Sequence, residues 1–180
     1  MTSFRNLIIL GPLIYQIHHL EEHIIFNFRE WRLAYFSDNN TLSTEEVLLR
    51  LSIFLLIIIF IHLIKSNKAS AHLILFFLMT TQVINAFFHI FFSFYFCDFS
   101  PGVITGVLLY LPVNYLIFNA ALNEGYLKNK IEIFYLFLLG ACTFTIFEIV
   151  GPIVLLISIF FSIGYYFVRN NYDIKQPSST

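Results

Sequence analysis

Charged side chains are scarce in this 180-residue sequence: Asp, Glu, Lys and Arg make up 12% of it, about half the share of an ordinary soluble domain. With 58% hydrophobic residues and a mean hydropathy of +0.79, that shortage places the chain among membrane proteins. The remaining charge sums to −1, so there is no basic patch. Neither a Gly-rich phosphate loop nor interleaved aromatic and basic residues occurs, and no nucleic-acid partner is expected. Cysteine is confined to Cys97, near the end of one apolar run, and Cys142, inside another. Without a CxxC pair they suggest neither a zinc ribbon nor a disulfide framework. What the chain has in abundance is Phe, 23 residues, with 10 Tyr beside it.

The first apolar run, about Phe4–Phe28, ends at Arg29-Glu30-Trp31-Arg32, which reads as an interfacial anchor with Trp31 at headgroup level. Arg5 followed by Leu7–Ile17 has the outline of a signal peptide, but no small-residue cleavage pattern comes after it, so the run is expected to remain as a span. Asp38-Asn39-Asn40-Thr41 is turn chemistry, and Asn39-Asn40-Thr41 also matches a glycosylation sequon. Ser43 or Thr44 with Glu45 and Glu46 predicts the N-cap and first turn of a second helix. That run, about Val47–Ile64, is interrupted only by Arg50 and His62; His62, near Lys65, reads as interfacial. The third, about Ala71–Phe96, contains Thr80, Thr81, Gln82, Asn85 and His89. Pro101-Gly102 marks a turn before the fourth, about Val103–Leu122, where Pro112 predicts a kink and Asn114 is a candidate cavity residue.

Residues 131–168 are 38 in a row without a strongly polar interruption other than a few glutamates and small polar side chains, roughly 57 Å as a single helix. The hydrocarbon core is ~30 Å thick, so Gly151-Pro152 predicts a tight turn between two helices, about 131–149 and 152–168. The tail from Arg169 is polar and expected to be disordered. The expected fold is therefore all-α: a polytopic transmembrane helical bundle of about six helices, or five if residues 131–168 form one pass. It is one domain over residues 1–168, with a polar C-terminal tail over 169–180. Six spans put both termini on one side, with Arg5, Lys65, Lys68, Lys128, Lys130, Arg169 and Lys175; Arg29, Arg32 and Arg50 fall on the other. That asymmetry predicts cytoplasmic termini.

The conspicuous exception to the apolar pattern is His18-His19-Leu20-Glu21-Glu22-His23, five ionisable side chains in six residues. Charged groups at mid-membrane cost roughly 2.5–3.5 kcal/mol each on insertion scales, so such groups face a bundle interior or a wet cavity. At 100° per residue His18, Glu21 and Glu22 share a face about 100° wide, which His19 and His23 extend. Odd-numbered spans enter from the same side. At 1.5 Å per residue, Glu21 and Glu22, then Asn85 and His89, then Glu148 all fall roughly 21–27 Å along their helices. Spans one, three and five thus bring their polar residues to one level, and Asn85 and His89 stand one above the other at i,i+4.

These motifs resemble the HXXEE-domain family of membrane proteins. His18-His19-Leu20-Glu21-Glu22 matches the namesake pattern, Asn85-Ala-Phe-Phe-His89 an N-x-x-x-H motif, and Pro101-Gly102 a Pro-Gly pair, in that order. The resemblance runs from about residue 13 into the last helices and implies no established activity.

His and Glu are ligands of first-row metals, and i,i+3 or i,i+4 pairs can share an ion. Ionised Glu21 and Glu22 balance one divalent cation; neither a di-iron pair of E-x-x-H motifs nor multiple histidine boxes are present. One ion, zinc favoured, with His18, Glu22, His89 and Glu148 as ligands, is the leading expectation. Glu21, Glu22, His18 and His89 are the candidate catalytic groups, and Asn85, His19 and His23 the supporting ones. The function expected is an intramembrane enzyme acting on a lipid or other hydrophobic small molecule, by metal-dependent hydrolysis. A metal-free His/Glu isomerase or cyclase, a non-enzymatic transporter or ion-coupling protein, and buried Glu–His pairs that merely hold helices together stay open.

Overall fold

Residues 3–37 and 42–175 are described in a computed structural model. The expected turn and sequon at 38–41 and the final residues 176–180 lie outside them. The described residues contain helices and no strand. A short α1 (Phe4–Leu7) leads into α2 (Leu10–His19), which continues through a π-helical segment, π1 (Leu20–Ile25). A separate helix, α3 (Phe28–Tyr35), comes next, and then α4 (Thr44–Lys65). The third span runs α5 (Lys68–Leu78), π2 (Met79–Ile84), α6 (Asn85–Tyr95); the fourth α7 (Val103–Thr105), π3 (Gly106–Tyr110), α8 (Leu111–Asn123). Two long helices, α9 (Lys130–Val150) and α10 (Ile153–Lys175), complete the bundle.

Five helices are long and apolar enough to cross a membrane: Glu45–Lys65, Lys68–Tyr95, Val103–Asn123, Lys130–Val150 and Ile153–Tyr172. The α4 start is dictated by sequence, since Ser43 and Glu46 form a reciprocal capping box that satisfies two orphan N–H groups. The expected separation at Gly151-Pro152 is present, with Gly151 at φ 91°. Pro112 sits in the first turn of α8, immediately after π3. A π turn stands where the kink was expected, and it accommodates a proline that lacks an N–H and whose ring crowds the preceding turn. Beyond Val168 the polar segment continues as helix to Lys175.

The third span is the axle. In its apolar window 61% of residues are buried, against 6% for α9 and 11% for α10. Its first turn presents Ala69, Ser70 and Ala71, all inaccessible, and small side chains let neighbouring helices approach closely. Midway, Gln82 donates to the Gly11 carbonyl and accepts from Asn114, linking spans one, three and four. Asn114 is thus a structural bridge rather than a cavity residue.

Side-chain contacts define two ends. At one, the Phe4 N–H donates to Glu124, His72 meets Tyr126 and Tyr165, and Asn67 donates to Asn170. At the other, Tyr35 donates to Asp98 and Arg32 pairs with Glu148. The hydrogen bond to Asp98 raises the Tyr35 pKa above that of an ordinary phenol. Phe4 and Asn170, near the two ends of the described residues, therefore share one end of the bundle. Two expected interfacial residues lie inward: His62 is fully buried against Phe4 and Tyr126, bonded to Ser70, and Trp31 packs among Phe28, Tyr35 and Phe96.

Candidate functional site

The site assembles where π1, α6 and the Pro101-Gly102 turn meet. Three residues expected together are together: His18, Glu22 and His89 are buried and offer donor atoms within 4.8 Å of one another. Glu22 Oε1 lies 3.3 Å from His18 Nε2 and 2.9 Å from His89 Nε2. Neither contact is aligned as a hydrogen bond, so both buried Nε2 atoms lack a hydrogen-bond partner. The opposite ring nitrogens are engaged: His18 Nδ1 stands 2.7 Å from Thr105 Oγ1, and His89 Nδ1 2.9 Å from Ser100 Oγ. Thr105 Oγ1 also donates to the Gly102 carbonyl. With its proton directed there, the hydroxyl accepts from His18 Nδ1–H, and Nε2 is the ring nitrogen directed at the carboxylate.

Glu21 goes elsewhere. Its carboxylate accepts three backbone N–H bonds, from Gly102 and Ile104 at 3.1 Å and Thr105 at 2.7 Å. It caps the N-terminus of the fourth span from across the bundle, where a carboxylate meets orphan amides and the positive end of the helix dipole. The neighbouring glutamates, which straight-helix geometry places on one face, divide into a scaffold residue and a site residue.

Gly102 explains the Pro-Gly pair. It sits at φ 97°, and a Cβ there would lie 2.9 Å from both His18 Cε1 and His89 Nε2 and 3.0 Å from Glu22 Cγ. Only glycine fits both the left-handed turn and the space against the donors.

Glu148 lines the same cavity as Glu22 but is not among the clustered donors. Arg32, expected as an interfacial anchor, turns inward and binds its carboxylate through Nε and Nη2 at 3.2 and 3.0 Å. Asn85 lines the cavity with its buried Oδ1 unpaired. His23 Nε2 lies 3.5 Å from Glu22 Oε2, and the His19 and His23 rings lie 4.4 Å apart, tilted by 46°. Sequence reading overlooked Thr105 and Ser100. Their only signal is position, three residues after and two before Gly102.

A cavity of about 180 Å³ opens beside the cluster, lined by Glu22, Asn85, Phe144 and Glu148 among others. A larger, mostly apolar groove of about 540 Å³ runs between α5, α9 and α10. Thr143 and Val154 line both.

Fold and composition together define an all-helical bundle with five helices apolar enough to cross a membrane, built around a buried His/Glu centre. Its sequence matches, over residues 9–117, the profile of a family described as proteins of unknown function with an HXXEE motif. The chain belongs to that family. No curated protein and no solved structure matches it.

Proposed function

We propose that the chain is an intramembrane enzyme acting on a lipid or other hydrophobic small molecule, with one divalent ion held by His18, Glu22 and His89. One observation carries this reading: two buried imidazole nitrogens converge on one carboxylate oxygen without hydrogen-bonding to it. Imidazole nitrogens directed at a carboxylate call for a cation or a proton between them, and their bent approach suits a shared cation better than a shared proton. Donors around a tetrahedral zinc with bonds of ~2.0–2.1 Å sit ~3.3–3.4 Å apart, and the observed separations are 3.3 and 2.9 Å. The Nδ1 contacts to Thr105 and Ser100 are of the kind that orient metal-bound imidazoles. Two His and one Glu form a set used by catalytic zinc, with a position left for water or substrate.

Glu21 is occupied by backbone amides, so Glu22 alone offsets the ion and the centre keeps a positive charge. Such an ion polarises a carbonyl or phosphoryl oxygen and acidifies water. Asn85 offers its free carbonyl oxygen to a donor on the substrate, and the apolar groove that meets the cavity suits a hydrocarbon chain. Hydrolysis of a lipid-like ester, amide or phosphoester is the favoured chemistry, and the termini are assigned to the cytoplasm from the distribution of Lys and Arg. The test is elemental analysis of untagged, detergent-purified protein. About one tightly bound ion is expected, lost in Glu22→Gln and in His18→Ala. A folded, metal-free parent whose turnover of hydrophobic substrates still needs Glu22 would favour the acid–base alternative.

A further inference from the structure

Glu22 has more histidine around it than one ion uses. Its Oε1 faces His18 and His89, while Oε2 stands 3.5 Å from His23 Nε2. One donor atom each from His19, His23 and Glu22 also falls within 4.8 Å of the others, a second set sharing only the carboxylate with the first. The 3.5 Å separation is close to the ~3.3–3.4 Å between donors on one tetrahedral ion. The sets differ in access. His18 and His89 are buried, whereas His19 and His23 are half-buried and line the cavity.

A carboxylate with one oxygen toward each of two donor sets has the form of a bridging ligand. Two metals bridged in this way act as a clamp on both the attacking and the leaving oxygen of a displacement.

We infer that His19, His23 and Glu22 Oε2 form a second divalent-cation site, joined through Glu22 to the His18–Glu22–His89 site. This rests on the one-ion reading above and extends it to a carboxylate-bridged pair, with the cavity-side ion the more exchangeable. The substrate class it implies is a phosphoester or activated ester of a hydrophobic alcohol, whose two oxygens span the ions.

The test is titration of untagged, full-length protein in detergent with Co²⁺, monitoring visible absorption and total bound metal. Two equivalents are expected, the second weaker. His19→Ala and His23→Ala, both at half-exposed positions that tolerate truncation, should each remove the weaker equivalent and leave the tighter one. One equivalent in the parent, unchanged by either substitution, rejects the second site and leaves the first ion standing. No bound Co²⁺ at all rejects both. Two equivalents that both survive His19→Ala and His23→Ala place the second ion elsewhere and overturn the inference.

Discussion

At Gly102 the site's tolerances are tightest, and a control exists within the same chain. Gly125 also has a left-handed backbone, φ 74°, yet nothing lies within 4 Å of a Cβ built there. Gly125→Ala is expected to cost about 1–2 kcal/mol, the left-handed penalty alone. Gly102→Ala should cost a further ~1–3 kcal/mol from overpacking and also displace His18 and His89. Thermal melts of both proteins in detergent, with metal content, measure the difference; equal losses would mean that Gly102 serves only the turn. The adjacent glutamates make a second residue-scale comparison. Glu21→Gln keeps one acceptor but turns an NH₂ toward backbone donors and removes the charge at the helix end. We expect it to lower stability by about 1–3 kcal/mol and to leave metal stoichiometry intact, the opposite of Glu22→Gln. In the sequence these residues are indistinguishable, because a constant 100° per residue puts both on one face. His18, Glu22 and His89 were legible because ionisable groups in an apolar run have few places to go.

Helix ends were more legible than helix interiors. Capping at Ser43 and the break at Gly151-Pro152 are local chemistry, written in adjacent residues. The three π segments leave no comparable mark, yet they carry Glu21 and Glu22, Gln82 and Tyr110. Each widens a turn and re-aims the side chains beyond it, a recurrent feature of functional sites. Depth along a helix pointed to Glu148, which lines the cavity, but could not foresee that α3 would fold back and bring Arg32 to it. That pair ties α3 to α9 across the cavity, with its side chains mostly buried. In a double-mutant cycle, Arg32→Met and Glu148→Leu should each destabilise, and the double variant should recover part of the loss, since an unpaired buried charge is worse than none. The expected coupling is ~1–2 kcal/mol. Additive losses would show that the two residues act independently and that α3 is held by its aromatic contacts instead.

For the molecule as a whole, apolar run lengths were enough to anticipate an all-helical bundle. The order of packing around the third span was not readable, because lipid-facing and core faces are equally apolar in a membrane. Contacts at one end of the bundle bring the beginning of α1 near the end of α8, and the start of α5 near the end of α10. Tags on the two termini should therefore respond alike to a membrane-impermeant reagent applied to intact cells, and the positive-inside rule assigns both to the protected side. Opposite accessibility would mean that one of the six apolar segments does not cross.

Glu21 finds its amide partners only 81 to 84 residues later in the chain. During synthesis at 5–20 residues per second, 84 residues take roughly 4–17 s. For that interval the first segment carries His18, Glu21, Glu22 and His23 with no cap and no Thr105, and for most of it with no His89 to meet them. Groups that each cost roughly 2.5–3.5 kcal/mol at mid-membrane oppose early entry into lipid. The segment translated first should accordingly be seated last. A nascent chain stopped at residue 40 is expected to be stripped from membranes by alkali, and one stopped at residue 125 to resist. Resistance in the shorter chain would mean that the first segment holds its place in the bilayer alone.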